Sequence, residues 1–132
     1  MLSILGAVAS EGQGKETQSD QPFATFWAQF KAAVAKNDKE AVAEMTRFPV
    51  DVSENLTRAA FIKKYHAIFT QEVRRCFAKE KPVRDDPPPP SASEAAKERQ
   101  KNGTYNLFCG NDIFAFERVE GKYKLTSVGF ND

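Results

Sequence analysis

The sequence predicts an α+β fold in which N-terminal helices pack on a curved, mainly antiparallel sheet. Three observations carry that expectation. Residues 22 to 77 place apolar side chains at helical spacing, whereas residues 104 to 130 fall into three short runs rich in aromatic and β-branched residues, separated by turn chemistry. At 132 residues the chain is one domain, with enough material for a genuine core.

Residues 1–21 read as the remnant of an export signal or a flexible leader. Leu2, Ile4 and Leu5 form a short apolar run that ends in Ala7-Val8-Ala9, the small-x-small pattern before a signal-peptidase cut. The run is too short to span a bilayer and has no basic start, so a truncated signal competes with a disordered apolar tail. Residues 22–132 are the α+β domain. The net charge of +1, with 19 basic against 18 acidic residues, points away from a nucleic-acid partner, and no stretch suits stable membrane insertion.

Phe23, Phe26, Trp27, Phe30 and Val34 lie at helical intervals, so the first helix carries an aromatic stripe. Asp20 and Pro22 supply its start. Asn37 with Glu40 resembles a capping box, which opens a short second helix burying Val42 and Met45. Phe48 to Val52 is an extended segment, and Pro49 confines it to a sheet edge or a strand start. Thr57 caps a third helix with Phe61, Ile62, Tyr65, Ile68 and Phe69 on its buried stripe, and Leu56 staples to Phe61. Thr70 caps a further short helix bearing Val73, Cys76 and Phe77.

Residues 79–101 change character. They are dense in charge, contain the run Pro87 to Pro90, and offer Val83 as their only bulky apolar side chain. Such a segment reads as an exposed Pro-rich, charged excursion, with a polar helix from Ser91 or Ser93 to Gln100.

The three β runs are Thr104 to Cys109, Ile113 to Val119 and Tyr123 to Phe130, joined by Gly110-Asn111 and Glu120-Gly121 turns. In the middle run Phe114, Phe116 and Arg118 share one face, and Ile113, Ala115, Glu117 and Val119 the other. Both faces hold apolar groups, so this strand is expected to be covered on both sides. In the last run the apolar parity changes between Leu125 and Val128, which calls for a bulge near Thr126 and Ser127 or for burial on both faces.

Eleven Phe against one Trp and three Tyr imply a phenylalanine-filled core. Cys76 and Cys109, with His66 the only histidine, are too few for a structural metal site, and neither a metal nor a cofactor is expected. In an exported chain the two cysteines are a disulfide candidate, closing a loop of about 30 residues worth roughly 3 to 4 kcal/mol. Two buried thiols are the alternative.

This order of elements resembles the nuclear-transport-factor-two-like superfamily. The residues that carry the likeness are Phe26-Trp27, Phe48-Pro49, Phe61-Ile-Lys-Lys-Tyr65 and Gly121-Lys-Tyr-Lys-Leu125. The resemblance implies a cystatin-like α+β cone over residues 22 to 132, similar to small exported bacterial members of the superfamily, located in the periplasm or secreted. It also implies a cavity between sheet and helix. Fold does not fix function.

Three functions compete. The first is a binding module whose cavity takes a small ligand or a peptide end, with Trp27, Tyr65, Phe114, Phe116, Glu117 and Tyr123 as pocket candidates. The second is an interaction domain that forms a homodimer through the outer sheet face. The third, ranked last, is an isomerase- or dehydratase-like enzyme with an acid or histidine base, for which Glu117, His66 and Asp112 are weak catalytic candidates. Each has a structural reading as well: an ion pair of Glu117 with Arg74 or Arg75, an exposed His66, and an Asp112 that bonds its own turn.

Overall fold

The computed structural model describes residues 21–84, 91, 93–94 and 103–130. The leader at 1–20, the run Pro87 to Pro90 and the polar helix expected up to Gln100 fall almost wholly outside the described residues. The described chain is α+β, with helices on one face of an open, mixed six-stranded sheet.

Helix α1 (Phe23–Ala35) buries Phe26, Phe30, Ala33 and Val34. Its end satisfies two carbonyls at once. Asn37 takes a left-handed φ of 56° and donates its N–H to Val34 O, while Asp38 N–H reaches Ala33 O at 2.9 Å. This Schellman arrangement suits asparagine, which tolerates that conformation better than most side chains. The cap of α2 (Lys39–Glu44) is therefore Asp38, whose carboxylate accepts from Ala41 N at 3.2 Å. The capping box expected at Asn37 is displaced by one residue because Asn37 is already used to end α1.

Strand β1 (Thr46–Asp51) lies inside the sheet, parallel to β6 (Lys122–Phe130) and antiparallel to the two-residue β2 (Asn55–Leu56). Pro49 is not at the strand start, but β2 pairs only with Val50 and Asp51, so at Pro49 the strand has no neighbour on that side. It is tolerated because β1 and β6 pair at Thr46 and at Asp51 with a register break between, so no ladder bond is needed from Pro49.

The third predicted helix is broken. α3 (Arg58–Lys63) starts on Thr57, whose hydroxyl accepts from Ala60 N at 3.2 Å, and stops at Lys64, where ψ is 11°. A single turn, α4 (Tyr65–Ile68), follows. α5 (Gln71–Lys79) is capped by Thr70, which accepts from Val73 N. Leu56 and Phe61 are both buried, as the staple requires.

The remaining strands are β3 (Val83–Arg84), β4 (Tyr105–Cys109) and β5 (Asp112–Val119), giving the order β2-β1-β6-β5-β4-β3. β3 adds an edge strand at the head of the charged excursion, pairing Val83 with Asn106. Gly110, at a φ of 63°, turns β4 into β5, and Glu120 with Gly121, both at positive φ, turn β5 into β6. Between β5 and β6, Ala115 faces Ser127 and Phe116 faces Leu125, so Thr126 is an extra residue. This bulge resolves the parity change: Tyr123 and Leu125 face the core before it, and Val128 after it.

The core lies between the helices and the inner sheet face. Phe116 is fully buried with its ring centroid 5.2 Å from Phe30, 5.7 Å from Phe26 and 5.8 Å from Trp27. Phe114 is equally buried, against Phe69 and Phe77. Each such ring removed from water contributes about 1.5 to 3 kcal/mol. A disulfide joins Cys76 of α5 to Cys109 of β4, with Cα atoms 5.7 Å apart, and fastens the helix layer to the sheet.

Candidate functional site

Alternation along β5 sends Asp112, Phe114, Phe116 and Arg118 to the core face, and their partners on β6 are Phe130, Val128, Leu125 and Tyr123. Phenylalanine fills the middle of this face. The two ends of the strand carry its polar residues, Arg118 at one and Asp112 at the other.

At the Arg118 end the side chains of the inner face are engaged by one another, and a cleft of about 230 Å³ beside Tyr123 is edged by Gln21, Gln29, Glu44, Lys122 and Lys124. Arg118 lies over the Tyr123 ring at 4.4 Å, donates to the Tyr123 hydroxyl at 3.1 Å and donates to the backbone carbonyl of Gln21 at 3.2 Å. Phe23 stacks on Tyr105 with centroids 3.7 Å apart. These contacts seat the start of α1 on the sheet.

The Asp112 end is open. A cleft of about 170 Å³ is bounded by Val52, Leu56, Ile68, Val128 and Phe130, with Asp112 and the Lys64–Glu54 pair at its margins. Phe130 is 54% exposed. Lys64 Nζ is 2.7 Å from Glu54 Oε2, and this hydrogen bond and charge lower the Glu54 pKa. A second cleft, of about 330 Å³ and lined by Thr70, Glu72, Val73, Asn111 and the Cys76–Cys109 bridge, adjoins the first through Asp112. The Asp112 carboxyl is partly buried, takes part in no hydrogen bond or ion pair within the described residues, and has its pKa raised by burial. Together these groups form an apolar recess beside a carboxylate that lacks a counter-charge, suited to holding a ligand that brings both matching parts.

The six pocket candidates do not meet around one cavity. Phe114, Phe116 and Tyr65 are fully buried, and Trp27 packs its ring against Phe77 and Phe116. Tyr123 lies at the Arg118 end, where its hydroxyl is bonded. Among the described residues the buried Tyr65 hydroxyl has no hydrogen-bond partner, and burial pushes its pKa up to about 12. Glu117 lies on the outer face and accepts from the Thr126 hydroxyl at 3.0 Å. Arg74 donates instead to Phe69 O, so it does not supply an ion pair with Glu117. The outer residues of β5 are partly exposed rather than covered. His66 is exposed on α4. Asp112 does not bond its own turn, since that turn closes through Gly110.

Val52, Leu56, Ile68, Val128 and Phe130 were not among the sequence candidates. Their one sequence signal is the parity change in β6, which brings Val128 to the core face.

Comparison of the chain with protein-family models, curated proteins and solved structures returns no match. Among the described residues no helix is long and apolar enough to cross a membrane, and no His/Cys/Asp/Glu group is arranged to hold a metal ion.

Proposed function

We propose that this domain is an exported binding module of the cystatin-like, nuclear-transport-factor-two-like kind, which takes a small, partly apolar ligand or a peptide end. The observation that carries the reading is the Asp112 cleft, an apolar recess with one unpaired carboxylate at the open end of the sheet–helix interface. Binding sites combine apolar walls with few polar groups in this way, and a cavity near 150 Å³ is enough for a single aromatic ring. The Cys76–Cys109 bridge supports a periplasmic or secreted location, because disulfides persist in oxidising compartments.

The test is a two-dimensional ¹H–¹⁵N NMR titration with benzyl alcohol, a neutral one-ring probe. Shifts confined to the amides of Leu56, Ile68, Val128 and Phe130, and abolished by Ala67→Trp, are the expected result, because Ala67 is an exposed residue that also lines this cleft. Scattered shifts, or shifts indifferent to Ala67→Trp, would remove the reading.

A second reading, homodimerisation through the outer sheet face, draws on Val83 and Phe108, which are 58% and 51% exposed. The ladder puts both on that face with Ile113. Sedimentation equilibrium decides it: a dimer that Phe108→Ser converts to monomer supports this reading, and a wild-type monomer at high concentration sinks it. An isomerase- or dehydratase-like reading has less support, since His66 is exposed and Glu117 faces away from the core.

A further inference from the structure

Charge around the open end of the sheet is unevenly compensated. Lys64 is engaged by Glu54 at 2.7 Å, so that pair adds little net charge to the first cleft. Among the described residues Asp112 has no such partner, and burial is the cause of its raised pKa. Along the adjoining cleft the one ionisable side chain besides Asp112 is Glu72, another acid. The two recesses, which share Asp112, therefore carry two carboxylates outside the Lys64–Glu54 pair and no uncommitted cation among their lining residues.

A carboxylate at the edge of an apolar recess is poorly hydrated on one side, and an incoming positive donor recovers what water cannot supply there. An anionic ligand would meet like charge from Asp112 and Glu72. A neutral apolar ligand would fill the first cleft yet leave the carboxylate unmatched. The ligand that satisfies both features carries a cation next to a compact apolar group.

We propose that the cleft selects small organic cations, primary amines with one ring or short alkyl group, with the ammonium on Asp112 and the apolar part between Leu56, Ile68, Val128 and Phe130. This inference rests on the binding reading above. The second cleft, with Glu72 on its wall, extends the site for a ligand bearing a second amine.

The experiment compares benzylamine, benzyl alcohol and benzoate by NMR titration of the full chain at one pH and ionic strength. Benzylamine is expected to bind about tenfold more tightly than benzyl alcohol, the usual scale for one charge-assisted hydrogen bond, and benzoate more weakly than either. Asp112→Asn is expected to remove the tenfold advantage of benzylamine over the alcohol, and an advantage that persists in the variant would overturn the assignment of the ammonium to Asp112. If amine and alcohol bind equally within the cleft, selection for a cation is overturned and the binding module stands. If no probe moves the cleft residues, the binding reading itself fails. The wild-type comparison decides the matter even if Asp112→Asn does not fold.

Discussion

The Tyr123 hydroxyl lies 3.0 Å from the point that a Cβ on Gly103 would occupy, and Gly103 has a φ of +78°. Two constraints therefore coincide where the chain enters β4: left-handed backbone, and a Cβ position so close to the Tyr123 hydroxyl that the ring would have to shift. Gly103→Ala is expected to cost about 1 to 2 kcal/mol. Urea unfolding reads it as a lowered midpoint, and an unchanged midpoint would contradict this account.

The Cys76–Cys109 bridge spans 33 residues of sequence, including the charged excursion. Cross-linking a loop of this size restricts the unfolded chain. The double Cys76→Ser, Cys109→Ser variant is expected to lose about 2 to 4 kcal/mol relative to the oxidised protein. Adding reductant to the wild type should give a similar loss, and would have no effect on the variant.

Among the described residues the Tyr65 hydroxyl has no partner, on a side chain that is otherwise fully packed. Tyr65→Phe removes the unsatisfied group and keeps the ring. A gain of about 1 kcal/mol is expected, against the usual direction of core substitutions. A loss of stability would mean that the hydroxyl has a partner after all.

Burial disfavours the charged form of Asp112 and raises its pKa from the ordinary value. A carboxyl with a folded-state pKa above the unfolded value holds its proton more tightly in the fold. Its contribution is therefore most favourable at low pH and falls as pH rises through the interval between the two values. Asp112→Asn is expected to match the wild type below that interval and to be the more stable protein at neutral pH. Urea midpoints measured across the acid range check the sign.

Features set by neighbours in sequence were legible before any coordinates. Thr57 and Thr70 cap their helices because a hydroxyl three residues ahead of a free N–H is sufficient, and the β5–β6 turn follows from Glu120-Gly121. The slip in β6 was visible as a change of parity. Features set by distant partners were not. Nothing local to Thr46–Asp51 indicates parallel pairing with β6, and nothing in the composition around Val83 indicates an edge strand. The Asx turn expected for Asp112 and the ion pair expected for Glu117 were each reasonable from residue type. The register decided otherwise, sending Asp112 to the core-side end of the sheet and Glu117 to its outer face. The cleft joins residues 52 and 56 to 128 and 130, a juxtaposition no periodicity encodes.

Thr126 carries a larger consequence than its own burial. Were Thr126 instead drawn into the ladder as an ordinary strand residue, Ser127 and Gly129 would inherit the inward positions now held by Val128 and Phe130, because facing alternates strictly along an unbroken strand. The recess beside Asp112 would lose its oily wall, though every other strand kept its pairing. The oily wall of this recess thus hangs on one irregularity in the pairing of β5 with β6, and on the two strands keeping it.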